Sequence, residues 1–97
     1  MIKNFTPVFG SGQIISATTT SSSVTLSNKN ESLCMSNIGS DAVYIKTGEG
    51  SATATNADYP VLPGQQVTMM LPEGHDTVAA LANATSSSVQ VMVGEGI

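Results

Sequence analysis

The chain has 97 residues, a formal net charge of −4 and only ten charged side chains, with neither Arg nor Trp. One domain with one core fits that length, and a core this small covers only roughly 60–65% of the surface of the unfolded chain. The acidic balance of seven carboxylates against Lys3, Lys29 and Lys46 speaks against a nucleic-acid partner, and no apolar run approaches a membrane span. The single cysteine rules out a disulfide within the chain, and no Cys/His grouping has metal-ligand spacing, so no cofactor is expected.

Met1 to Gly12 reads as an N-terminal arm, and 13–97 as the domain proper. The arm has no alternating pattern, yet it carries both phenylalanines, Phe5 and Phe9, followed by the Gly10-Ser11-Gly12 hinge. Met1 to Phe5 contains Lys3 but no continuous apolar stretch behind it, so no secretory signal is read there and a cytoplasm-like site of synthesis is expected.

From Gln13 the apolar period is close to two. Ile15 and Ala17 begin a first strand, and Thr18 to Ser23 turns. Val24 and Leu26 share the next inward face. Asn28-Lys29-Asn30 turns again, before Leu33 and Met35 alternate with Cys34 and Ser36. Val43 and Ile45 face one way and Tyr44 and Lys46 the other. Tyr59 to Leu62 contains Pro60 and suits a sheet edge. Pro63-Gly64 predicts a type II turn. Val67, Met69 and Leu71 make an inward face closed by Pro72-Glu73-Gly74. Thr77 to Ala82 could be helix or strand by pattern, and its length between two turns favours strand. Val89, Val91 and Val93 alternate before Gly94-Glu95-Gly96.

Eight short strands about ten residues apart, without helices for parallel crossovers, predict an all-β antiparallel β-sandwich of jelly-roll type. Its expected inward set is Val24, Leu26, Val43, Ile45, Val67, Met69, Leu71, Val89, Val91 and Val93.

Candidate chemistry is thin. His75 beside Asp76 has the residue types of a base and its orienter, but sequence neighbours on one turn rarely converge with a nucleophile. Cys34 lacks a nearby cation in sequence and reads as a small buried hydrophobe. Glu49 and Glu95 could pair as glycosidase-type carboxylates, yet the chain has only Tyr44 and Tyr59 as further rings to hold a sugar. Asp41, Asp58 and Asp76 fall one to a loop, without calcium-loop spacing. The Asn4, Asn30 and Asn83 triplets match glycosylation acceptors, as chance provides in a chain where 24 of 97 residues are Ser or Thr. No catalytic set emerges, and the chain is not expected to be an enzyme.

The displaced aromatics are the most informative feature. Burying a Phe contributes roughly 1.5–3 kcal/mol, which an exposed arm forfeits. Either the arm folds back over its own sandwich, or Ile2, Phe5, Val8 and Phe9 anchor on a neighbouring subunit or partner; the second reading is preferred.

Four segments in order resemble small virion structural proteins of tailed bacteriophages and prophages: Ala17-Thr18-Thr19-Thr20-Ser21-Ser22-Ser23-Val24-Thr25-Leu26, Asn37 through Gly48, Asp58-Tyr59-Pro60-Val61-Leu62-Pro63-Gly64, and Val91-Met92-Val93-Gly94-Glu95-Gly96. The resemblance runs from Thr18 to the end. It implies a capsid decoration, or cement, protein that binds the exterior of the shell and bridges capsomers, with the major capsid protein as partner. A homo-oligomer is expected, a trimer slightly ahead of a dimer by analogy with such proteins. Its alternatives are a tail, neck or fibre module, or a carbohydrate-binding adhesin on the virion.

Overall fold

The computed structural model describes residues 4–26 and 31–96. Every regular element among them is a strand: β1 (Thr6–Pro7), β2 (Gln13–Thr18), β3 (Ser22–Thr25), β4 (Ser32–Asn37), β5 (Val43–Gly48), β6 (Tyr59–Val61), β7 (Gln66–Met70), β8 (Thr77–Ala82) and β9 (Ser86–Glu95). No helix of the described residues is long and apolar enough to cross a membrane.

The strands form two antiparallel sheets. In sheet A, β9 lies between β4 and an edge shared by β1 and β2, and β7 closes the far side of β4. Sheet B runs β3-β8-β5-β6. With β1 set aside, the eight longer strands nest as a jelly roll, which is the predicted fold class.

Alternation explains the layering. Ile15 and Ala17 on β2, Leu33 and Met35 on β4, and Val89, Val91 and Val93 on β9 meet Val43, Ile45, Val61, Val78, Ala80 and Ala82 from sheet B. A one-residue slip in any of these strands would turn its apolar set to solvent. Val24, Val67 and Met69 face the same core but remain half-exposed, because β3 and β7 are edge strands. Pro60 sits on edge strand β6, as its missing donor requires. Pro63-Gly64 forms the predicted turn, with Gly64 at φ +78° and Gln65 N–H donating to the Leu62 carbonyl at 2.9 Å.

The Thr77–Ala82 segment is the strand that its length predicts. Two features depart from the sequence reading. That strand is buried on both faces, with Ala79 fully buried on the outer side. Its cover is the β5–β6 connection, which crosses the outside of sheet B and is tied down by Ala54 N–H donating to Ser21 Oγ at 2.9 Å. The second departure is the arm. Thr6 and Pro7 pair with Glu95 and Gly94, so a segment without visible alternation is nevertheless an edge strand, two residues being too few to show a period. The expected loose hinge is also pinned. Ser11 is buried, its Oγ donates to the Val8 carbonyl at 2.6 Å, and it accepts from Val93 N–H at 3.3 Å.

Asn37 joins the layers. Its Nδ2 donates to the Asp41 and Val61 carbonyls at 2.8 and 2.9 Å, while Oδ1 accepts from Ser87 Oγ at 2.7 Å and Gly39 N–H at 3.1 Å. One buried amide therefore uses its donors and its acceptor to tie β4 to β6, to β9 and to the turn that follows β4.

Candidate interaction surface

The groups nominated for chemistry stay apart or take structural work. His75 Nδ1 lies 2.7 Å from Thr47 Oγ1, and the His75 backbone N–H closes a turn on the Pro72 carbonyl at 3.0 Å. Asp76 Oδ1 accepts from Gly50 N–H at 2.9 Å and from Thr77 Oγ1 at 3.1 Å, which fixes the start of the β5–β6 connection. Glu49 follows β5 in sheet B, whereas Glu95 ends β9 in sheet A, and both are exposed. Cys34 is a buried free thiol on the outward side of β4. Asp58 Oδ2 accepts from Thr55 N–H at 2.7 Å, and Asp41 Oδ2 accepts from Ala84 and Thr85 N–H at 2.8 and 2.9 Å. Those backbone donors, Thr85 first, hold the Asp41 carboxyl below the usual carboxylate range against a smaller opposing effect of burial. Among the described residues no group of three or more His, Cys, Asp or Glu is placed to hold a metal ion.

The four arm residues separate. Ile2 lies outside the described residues. Phe5 is half-buried, and its ring occupies the space in front of Gly94: a Cβ built there would stand 2.7 Å from Phe5 Cε1. Val8 packs against the core and donates its N–H to the Val93 carbonyl at 2.9 Å. Phe9 projects into solvent at 86% exposure. Phe5 and Val8 are thus seated on this chain's own β9, and of the three described arm residues Phe9 alone is presented outward.

Sequence reasoning missed how the surface is divided. Glu31, Glu49, Glu73, Asp76 and Glu95 all lie at the end of the sandwich that holds the β3–β4, β5–β6 and β7–β8 connections. Asp41 lies at the opposite end with exposed Ile38 and Leu62, Asp58 lies in the β5–β6 connection, and Lys46 lies on the outer side of sheet B. The outer face of sheet A carries no charged side chain among the described residues. The strand register gives its rows as Ile14-Gln90-Ser36-Gln66, then Met92-Cys34-Thr68, then Gly94-Ser32-Met70. Ile14 and Met70 are more than half exposed, at 58% and 59%. The signal was present in the sequence, since the outward positions of four strands hold no Asp, Glu or Lys, but only the topology makes them neighbours.

No protein-family model and no curated protein matches the chain. Among solved structures, it is similar to a chain from Bacillus endospore appendages, described as a novel family of disulfide-linked pili. The identity is 16% and the TM-score 0.53, over 88% of this chain and 84% of that one. That likeness supports the all-β sandwich and goes no further than the fold.

Proposed function

We propose that this chain is a structural subunit, without catalytic activity, that binds the exterior of a bacteriophage capsid in many copies and cements adjacent capsomers. The observation that carries the reading is the uncharged outer face of sheet A, with Ile14, Met70 and half-buried Met92 on it, in a molecule that gathers five of its seven acids at one end. Such a face can be dehydrated without stripping a charge of its water, which suits docking onto protein. Four strands about 4.8 Å apart and six residues long give it an area of only roughly 400 Å², about half of what one partner contributes to a standard interface. A surface that small binds weakly alone and gains from repetition around a closed shell. Made in the host cytoplasm and assembled on the virion, the subunit would have the major capsid protein as its partner. Association with its own copies, a trimer ahead of a dimer, is part of the same proposal and is read by light scattering.

The test is co-sedimentation of the purified chain with mature capsids that lack it. Saturation at hundreds of copies per particle is expected for cement, against roughly three to a dozen for a tail or neck part. Loss of binding in Ile14→Asp and Met70→Asp variants that stay folded would tie it to sheet A. Failure of the wild-type chain to bind any capsid surface would overturn the proposal.

The fold likeness favours one second reading, a subunit of an extracellular appendage. Cys34 alone could covalently join no more than two copies of this sequence, so disulfide linkage along a filament would need another arrangement. Immunogold labelling of filaments and not of phage particles would select that reading.

A further inference from the structure

The outside of sheet B holds a cleft of about 470 Å³. Tyr44 and Leu81, Cα partners across β5 and β8, form its apolar floor. The β5–β6 connection supplies one wall through Thr53, Thr55 and Asn56, and Thr19 and Asn83 come from the turns at the other side. No lining residue is charged. Lys46, the nearest charge along β5, sits two residues beyond Tyr44 and outside the lining.

We propose that this cleft binds a neutral saccharide. The proposal is independent of the capsid reading. A pyranose offers an apolar C–H face and a rim of hydroxyls, and it meets here a ring with an aliphatic neighbour inside a rim of hydroxyls and amides. Phosphate or carboxylate ligands would find no cation in the lining to compensate their desolvation.

The polar groups are preset. Tyr44 donates its hydroxyl to Asn83 Oδ1 at 3.1 Å, which turns the Asn83 NH₂ toward other acceptors and leaves the phenol oxygen able to accept. The wall is fixed by Ala54 N–H on Ser21 Oγ at 2.9 Å and by Thr55 N–H on Asp58 Oδ2 at 2.7 Å. A wall tied at both points loses little freedom when a ligand arrives, which favours binding even by a small site.

Titration of the ¹⁵N-labelled full chain with glucose, galactose, mannose and N-acetylglucosamine, followed by amide shifts, tests the proposal. At least one sugar is expected to move the amides of 53–56 and 83 with a Kd of about 1–10 mM, as suits a shallow one-ring site. Tyr44→Ala should weaken that binding at least about tenfold, a loss of roughly 1.4 kcal/mol. Thr53→Trp, at an exposed position of the connection, should block the cleft while leaving the spectrum of the sandwich intact, and it decides the matter should Tyr44→Ala fail to fold. No shift with any of the four sugars, shifts at other sites, or binding that survives Thr53→Trp overturns the proposal.

Discussion

At the residue scale, Asn37 and Asp41 show two ways in which a side chain of limited polarity budget secures a turn. Asn37 is buried and meets two carbonyls, a hydroxyl and a backbone N–H, so truncation strands partners that water reaches poorly. Each buried group left unpaired costs about 1–3 kcal/mol, and Asn37→Ala is expected to lower stability by about 2–4 kcal/mol in urea titrations. Asn37→Asp should be no better, because it places a carboxylate oxygen against two carbonyls. Asp41 works at the surface and depends on its charge. Its folded-state pKa lies below the unfolded value of about 3.9, so its contribution is present above that value and fades as pH falls through the lowered one. The thermal midpoint of Asp41→Ala should therefore lie below wild type at neutral pH and converge with it in strong acid. A gap that stays constant down to the lowest pH would mean that the carboxylate charge is not what matters.

Elements separate what a period can reveal from what it cannot. From Gln13 onward the strands were legible as alternation except two: Thr77–Ala82 fitted helix or strand by pattern and was decided by its length, and Tyr59–Val61 announced its edge position through Pro60. The inward residues followed from the same rule, and Ile45, 3% exposed, is expected to cost about 2–5 kcal/mol when cut to Ala, read as a shift in the denaturation midpoint. Illegible features were those made by non-periodic chain: β1, the crossing of the β5–β6 connection over sheet B, and the Asn37 cluster. Asn37 looks in sequence like any turn-flanking polar residue, because its partners are up to 50 residues away. The arm obeys a similar logic. Its seat requires a bare Cα at position 94, where a side chain would meet the Thr6 carbonyl as well as the Phe5 ring, so Gly94→Val should dislodge β1 together with Phe5 and leave the core closed. Hydrogen exchange should then speed up at residues 5–8 and stay slow at Leu33, Val43 and Val78. Deleting residues 2–9 should leave a folded sandwich weakened by about 1.5–3 kcal/mol for the loss of half-buried Phe5 and Val8 together, and capsid binding then reports whether the arm also serves a partner.

For the whole molecule, the separation of charge bears on how binding responds to salt. Docking through the outer face of sheet A engages no charged side chain among the described residues, so capsid affinity should change less than about threefold between roughly 50 and 500 mM salt. Steep weakening would point to the acidic end as the contact. The nesting of strands has another consequence, in the order of synthesis. β2 and β3 find their ladder partners only in β9 and β8, the last strands made, whereas β4 with β7 and β5 with β6 can pair earlier. A nascent chain therefore carries its first three strands unmatched until residues 77–95 have emerged from the ribosome, since β1 too pairs only with β9. Folding should be slow for the size of the chain, on a millisecond-to-second scale, and it cannot be completed by a product that stops before β8.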